Sequence, residues 1–147
     1  MKRKQKPIIG KDDIADFPLF GLTNVRVKID SGAYTSTIHC SRIRETDEGL
    51  FVVFLDKKEK GYTGTEVHFT KYDRKKVRSS SGELQERYIV KGDIELFGKK
   101  IKTEFTLSKR NLMRYPVLLG RKLLNKRFLI DTSLSNQSAQ LKTATIK

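Results

Sequence analysis

Apolar and polar residues alternate along much of this chain, and the alternation marks strands. In Val25-Arg26-Val27-Lys28-Ile29-Asp30, the three aliphatic residues take one side and Arg26, Lys28 and Asp30 the other, which is the period of a half-buried strand. Residues 50–55 are apolar throughout and predict a strand covered on both faces. Residues 65–72 alternate again. Residues 86–96 and 99–107 predict two strands paired across Phe97-Gly98, with Ile101, Thr103, Phe105 and Leu107 on one face. Residues 77–84 set a polar centre, Ser79-Ser80-Ser81-Gly82, between strand-like arms, the pattern of an exposed hairpin. Shorter strands are predicted at Ile8-Ile9 and over residues 33–39, 117–119 and 128–130. Pro18 interrupts residues 14–20, which are read as an edge strand or a loop feeding the turn at Gly21. Only residues 121–126 predict a helix, one to two turns long. Many short strands, frequent turn signals and one short C-terminal helix predict an all-β barrel or sandwich. Residues 1–6 read as a flexible basic arm, 7–133 as one domain, and the polar, aperiodic residues 134–147 as a loose tail.

Composition narrows the picture. A chain of 147 residues, 37% hydrophobic, supports one domain with a modest core. No apolar run approaches the roughly 18 residues that cross a bilayer. The first six residues are basic like the start of a signal peptide, but Pro7-Ile8-Ile9-Gly10 leads straight into Lys11-Asp12-Asp13 without an apolar core. The expectation is a soluble, cytoplasmic protein with no membrane partner. A net charge of +14 predicts attraction to something anionic: nucleic acid, ribosome, an acidic protein segment or a membrane face. The densest basic cluster, residues 71–78, carries no helix-turn-helix, zinc-finger or aromatic RNA-binding signature. A solvated basic surface accounts for it as well as nucleic-acid binding does. The single cysteine, Cys40, excludes an internal disulfide. Cys40, His39 and His68 fall short of a closed four-ligand zinc site, so no metal and no cofactor is expected.

The candidate chemistry sits where the first alternating strand ends. Asp30-Ser31-Gly32 puts a carboxylate at a strand exit, with a hydroxyl beside it and a residue without a Cβ after it. That arrangement suits acid–base chemistry, although the same tripeptide is also an ordinary turn. A second signal lies far downstream, in Tyr115-Pro116-Val117-Leu118-Leu119-Gly120-Arg121.

The order of these pieces resembles the retropepsin-like aspartic proteases: a strand ending in Asp-Ser-Gly-Ala, a Ser/Gly-rich hairpin, then an apolar strand, Gly-Arg and a short helix. Lys28-Ile29-Asp30-Ser31-Gly32-Ala33, residues 77–82, Glu86-Arg87-Tyr88-Ile89-Val90, Thr106-Leu107-Ser108-Lys109-Arg110, Met113 and residues 115–121 together are similar to one bacterial and archaeal subgroup. It is labelled "ATP-dependent zinc protease" and is sometimes encoded beside ATP-grasp ligases that add glutamates to ribosomal protein. The resemblance covers residues 7–133. It implies a retropepsin-like closed barrel and an aspartic peptidase working as a homodimer, because one chain supplies only one Asp30 for a two-carboxylate site. It also implies that Ser31 locks the two loops together, that Gly32 lets the strands approach, and that Ser79, Ser80 and Gly82 form a flap over substrate. Arg87 and Arg110 match family positions and would bind a substrate carboxylate or serve as structural ion-pair partners. Leu119, Gly120 and Arg121 form the second signature.

The zinc and ATP of the family label find no ligand set and no phosphate loop in this sequence. The viral enzymes carry an aspartate after Asp-Thr-Gly-Ala that pairs with the arginine matching Arg121. Tyr34 stands there instead, which removes that ion pair. Asp131-Thr132-Ser133 mimics the first motif, but Ser133 replaces the glycine and Asp131 reads as structural. Acidic, glutamate-rich peptides are the expected substrate, and ribosome association an expected partnership. The reading from another class is a non-catalytic retropepsin-fold module that binds ribosome, RNA or an acidic protein.

Overall fold

The computed structural model describes the backbone of residues 5–78, 81–109 and 114–146. Along the chain these form β1 (Ile8–Ile9), β2 (Asp12–Phe17), β3 (Leu22–Ile29), β4 (Ser36–Thr46), β5 (Gly49–Phe54), β6 (Glu66–Phe69), β7 (Asp73–Arg78), β8 (Leu84–Leu96), β9 (Lys99–Ser108), β10 (Val117–Leu119), α1 (Arg121–Leu124), β11 (Leu129–Ile130) and α2 (Gln137–Ile146). Six strands close into a barrel in the order β10-β3-β2-β8-β9-β4, and β4 returns to β10. The retropepsin-like closed barrel expected from the sequence is therefore present. No helix among the described residues is long and apolar enough to cross a membrane.

The alternation read from the sequence sorts residues to the two sides of this wall. In β3, Leu22, Val25, Val27 and Ile29 are buried while Arg26 and Lys28 face out. Aromatic rings fill the centre: Phe20 stacks on Phe54 at 4.3 Å and meets Phe105 edge-on at 5.6 Å. Each such pair is worth about 0.5–1.5 kcal/mol beyond simple burial. Gly92 of β8 is required there, because a Cβ at that position would lie 2.4 Å from the Phe20 ring.

Three local expectations are corrected. The segment around Pro18 is not an edge: β2 pairs with both β3 and β8, and Pro18 lies just past it, opening a single 3-10 turn where no N–H is needed. Residues 50–55 are not covered evenly. Leu50, Val52 and Phe54 are buried, whereas Phe51 and Val53 are half-buried on a strand joined to β4 and β6 outside the barrel ring. The outer face is shielded locally, by the Arg44 guanidinium 4.2 Å from the Phe51 ring and by His68 stacked on it at 4.3 Å.

The third correction concerns the C-terminal residues, read as a loose tail. Residues 137–146 form α2, which makes a second helix beside the short α1. Polar bonds hold it in place. The buried carboxylate of Asp13 accepts the backbone N–H of Ser138 at 2.9 Å and of Ala139 at 3.2 Å, satisfying first-turn donors that have no partner within the helix. Ser138 Oγ in turn accepts the Phe97 N–H at 2.9 Å. Burial pushes the Asp13 carboxyl up, and these N–H bonds oppose the shift.

Candidate active site

Asp30 leaves the end of β3 at the point where β10 passes between β3 and β4. β10 runs parallel to β3, with Leu119 opposite Ile29, and antiparallel to β4. The turn after β3 is held almost wholly by main-chain bonds. The Asp30 N–H donates to the Leu119 carbonyl at 2.9 Å, and the Ala33 N–H to the Asp30 carbonyl at 3.1 Å. The first amides of α1 complete the cradle: Arg121 N–H reaches the Ala33 carbonyl at 2.8 Å and Lys122 N–H the Tyr34 carbonyl at 2.9 Å. The orphan donors of a short helix thus become the clamp on the loop.

Gly120 makes that approach sterically feasible. A Cβ there would sit 2.5 Å from the Thr35 carbonyl oxygen and 2.7 Å from that of Tyr34. Its own N–H donates to the buried Ser36 hydroxyl at 3.1 Å. The Arg121 side chain donates to the Ser31 carbonyl at 2.9 Å, and its guanidinium carbon lies 5.9 Å from the Tyr34 ring centroid. Arg121 thus meets the loop through a hydrogen bond to its backbone plus a cation–π contact with Tyr34. Among the described residues, no group donates to the Asp30 carboxylate itself. Asp30 is half-buried, and Ser31 and Gly32 are exposed.

The register shows which surface shares this site. Lys28 of β3 lies opposite Leu118, Leu118 opposite Thr37, Thr37 opposite Thr106 and Thr106 opposite Ile89. The adjacent rung, Val27–Val117–Ile38–Leu107, is wholly buried. Side chains two residues apart share a face, so Asp30 and Lys28 stand on the outer side together with half-buried Leu118, Thr37, Thr106 and Ile89. This shelf was not singled out in the sequence. The alternation of Val117, Leu118 and Leu119 about a known pleat was the signal that could have found Leu118.

The residues expected to form a flap fall in the segment joining β7 to β8, which pair as a hairpin. It projects from the barrel, because β8 pairs with β9 only from Ile89 onward. Ser79 and Ser80 lie outside the described residues, as does Arg110. Gly82 is described, at φ +87°, and its carbonyl accepts Arg78 Nη1 at 3.0 Å. Arg87 is half-buried on β8, directly opposite Lys75 of β7. Its neighbourhood is thus basic, and no carboxylate pairs with it among the described residues. The hairpin is tied down at its base by Glu45 of β4, which accepts from Tyr72, Arg74 and, at 3.2 Å, Tyr88. The Tyr72 hydroxyl, with Arg74, holds the Glu45 carboxyl below its ordinary range.

The remaining candidates are used otherwise. Asp131 Oδ1 accepts the Ser133 N–H at 2.9 Å and the Ser133 hydroxyl at 2.6 Å. Cys40 is buried in the core, and burial pushes its thiol far up. His39, also buried, neighbours Cys40 on β4 and so turns to the other face, away from the thiol. His68 Nε2 donates to the Glu48 carbonyl at 2.7 Å. A thiol kept neutral and an imidazole already bonded do not fit a zinc site, and no group of three or more metal-type ligands occurs among the described residues.

A closed six-stranded barrel with an Asp-Ser-Gly loop clamped by a Gly-Arg turn defines a retropepsin-like lobe. The chain belongs to the RimB-like family, described as "Retropepsin-like aspartic endopeptidase RimB", which it matches over residues 9–140. Among curated proteins it is similar to the "Probable alpha-L-glutamate ligase" of Shewanella halifaxensis, 34% identical over 136 residues that cover 88% of this chain and 29% of that protein. The protein of the same name from Desulfotalea psychrophila is 30% identical over 142 residues, again 88% of this chain and 29% of that protein. The chain thus spans under a third of the length of these relatives. Among solved structures, a protein of unknown function from Legionella pneumophila shares the fold, with a TM-score of 0.69 at 23% identity, covering 91% of this chain and 99% of that one.

Proposed function

We propose that this chain is an aspartic endopeptidase that works as a homodimer, with one Asp30 from each copy. In the dimer the two carboxylates share one proton. The ionised one takes a proton from water as the water oxygen bonds to the scissile carbonyl carbon, and the protonated one gives its proton to the carbonyl oxygen. Collapse of the resulting diol breaks the C–N bond: the leaving nitrogen takes a proton from the protonated carboxyl while the other carboxylate takes one from a diol hydroxyl, which leaves the acid product and restores the single shared proton. We assign the Ser31 hydroxyl to the hydrogen bond between the two loops, and the β7–β8 hairpin to the cover over substrate. The observation that carries this reading is the Asp30 loop, fixed by backbone bonds on every side while its carboxylate is left unbonded among the described residues. The two-stranded β1–β11 sheet, with Ile8, Leu129 and Ile130 exposed by 48%, 55% and 39%, supports a second copy docking.

Acidic, glutamate-rich peptides are the proposed substrate. The support is the net charge of +14 and the glutamate ligase name carried by longer relatives that include a similar segment. The same charge favours approach to an anionic assembly such as the ribosome, and we assign the reaction to the cytoplasm. The direct test is hydrolysis of a glutamate-rich peptide by wild type and Asp30→Asn, with solution mass followed by light scattering. Cleavage by a dimer that is lost in the variant supports the proposal. A monomer that binds the peptide equally well with and without Asp30 would replace it with a non-catalytic binding module.

A further inference from the structure

Four residues back from Asp30, on the same outer side of β3, Arg26 opens a cleft of about 510 Å³ lined also by Lys58, Glu59, Lys60 and Arg114. At about 3.3 Å per strand residue, the Arg26 backbone lies some 13 Å from that of Asp30, the reach of about four residues of an extended peptide. The cleft is a built feature. Arg26 Nη2 holds the Glu59 carboxylate at 3.2 Å and the Arg114 carbonyl at 3.1 Å, and the guanidinium carbon lies 5.1 Å from the Tyr115 ring centroid. The 57–61 turn is closed by Glu59 N–H to the Asp56 carbonyl at 2.9 Å and Tyr62 N–H to the Glu59 carbonyl at 3.2 Å. Gly61 seats it against β3, since a Cβ there would lie 2.7 Å from the Thr23 carbonyl oxygen.

Four cations therefore surround one carboxylate. Lys58, Lys60 and Arg114 are exposed and form no ion pair among the described residues. We propose that this cleft is a carboxylate-binding subsite that takes an acidic side chain of a peptide about four residues from the scissile bond, with Glu59 occupying the Arg26 guanidinium until substrate arrives. The inference rests on the peptidase reading and names where its acidic substrate is held. Glu59 shows that the cleft accommodates a carboxylate, and Lys28 continues the positive charge toward Asp30. A bounded cleft around a carboxylate favours a peptide over RNA, which calls for a charged groove lined with stacking rings.

The test measures anisotropy of a fluorescein-labelled peptide of ten glutamates on the Asp30→Asn protein, so that binding is read without turnover. Adding Lys58→Glu and Lys60→Glu is expected to weaken binding at least about tenfold, because two charge-assisted contacts are lost. Lys58→Arg with Lys60→Arg is expected to keep the affinity within about twofold, since the charge remains. Reversing Lys99 and Lys100, exposed on the β8–β9 hairpin outside the cleft, changes the net charge equally and is expected to cost under about threefold, as a screened distant effect. Equal losses from both reversals, or no peptide binding to the Asp30→Asn protein, would overturn the subsite. So would retention of peptide binding in the Lys58→Glu/Lys60→Glu protein with loss of binding to a uridine 12-mer. Hydrolysis that persists in Asp30→Asn would instead sink the peptidase reading while leaving the binding result to stand or fall separately.

Discussion

Two turns of this molecule begin with an aspartate and a hydroxyl residue, and they treat the carboxylate in opposite ways. At Asp131-Thr132-Ser133 the carboxylate is consumed by its own turn, accepting both the N–H and the hydroxyl of Ser133. At Asp30-Ser31-Gly32 the turn is held by its main chain, Ala33 N–H to the Asp30 carbonyl, and from outside by Leu119 and Arg121, with no bond to the carboxylate among the described residues. Ser133, two residues past Asp131, supplies a hydroxyl donor that Gly32, two residues past Asp30, lacks. A carboxylate with an internal partner stabilises a loop. One whose loop is stabilised by other segments keeps its oxygens out of the loop's own bonding.

The sharpest way to break this contrast is to neutralise each aspartate. Asp30→Asn is expected to lower hydrolysis of a glutamate-rich peptide by at least about 10³-fold, on the scale of acid–base contributions. Asp131→Asn is expected to stay within about twofold, as a surface change. Comparable losses in both would erase the distinction. Next in size is the clamp. Gly120 has φ −95°, which alanine adopts freely, so Gly120→Ala tests only the collision with the Tyr34 and Thr35 carbonyls. Overpacking of this kind costs about 2 kcal/mol, or a fall of about 4–8 °C in Tm for a chain of this size. A thermal melt unchanged by the methyl group would show that the loop does not need this close approach.

Smaller again is Arg121→Lys. Lysine keeps the charge but loses the planar fork and the aromatic stacking. Hydrolysis is expected to fall roughly fivefold, the worth of one hydrogen bond, with little change in solution mass. The least effect concerns pH. The Ser133 bonds lower the Asp131 pKa from 3.8, so folding favours the ionised form. Its stabilising contribution is present above about pH 3.8 and disappears as pH falls through the lowered value. The Tm difference between wild type and Asp131→Asn, followed in melts from pH 6 to pH 2, is therefore expected to shrink toward the acid end. A difference that grows there would reverse the sign of the argument.

The barrel was legible because its strands write their burial in a period of two: Val25, Val27 and Ile29 point inward just as they alternate. The pieces of the candidate site were legible for a related reason. Asp30 and Gly120-Arg121, which the fold brings together, each lie within a short contiguous motif. What joins pieces far apart in sequence was not legible. Arg121 binding the Ser31 carbonyl spans 90 residues, and Arg26 binding the Arg114 carbonyl spans 88. Neither leaves a local pattern. α2 escaped notice for a third reason: it is held by Asp13 and Ser138 through polar bonds, so its own sequence lacks the apolar stripe by which helices are recognised.

The position of β10 between β3 and β4 also sets a sequence in time. During synthesis Asp30 leaves the ribosome well before residues 117–122, which supply the strand that closes the wall and the turn that shapes its loop. Until that stretch emerges, β3 and β4 face each other across a gap and the aspartate has no fixed geometry. Closure waits on contacts of long sequence separation, which form slowly. A nascent chain of this kind holds Asp30 in its clamped loop only after residues 117–122 have been made.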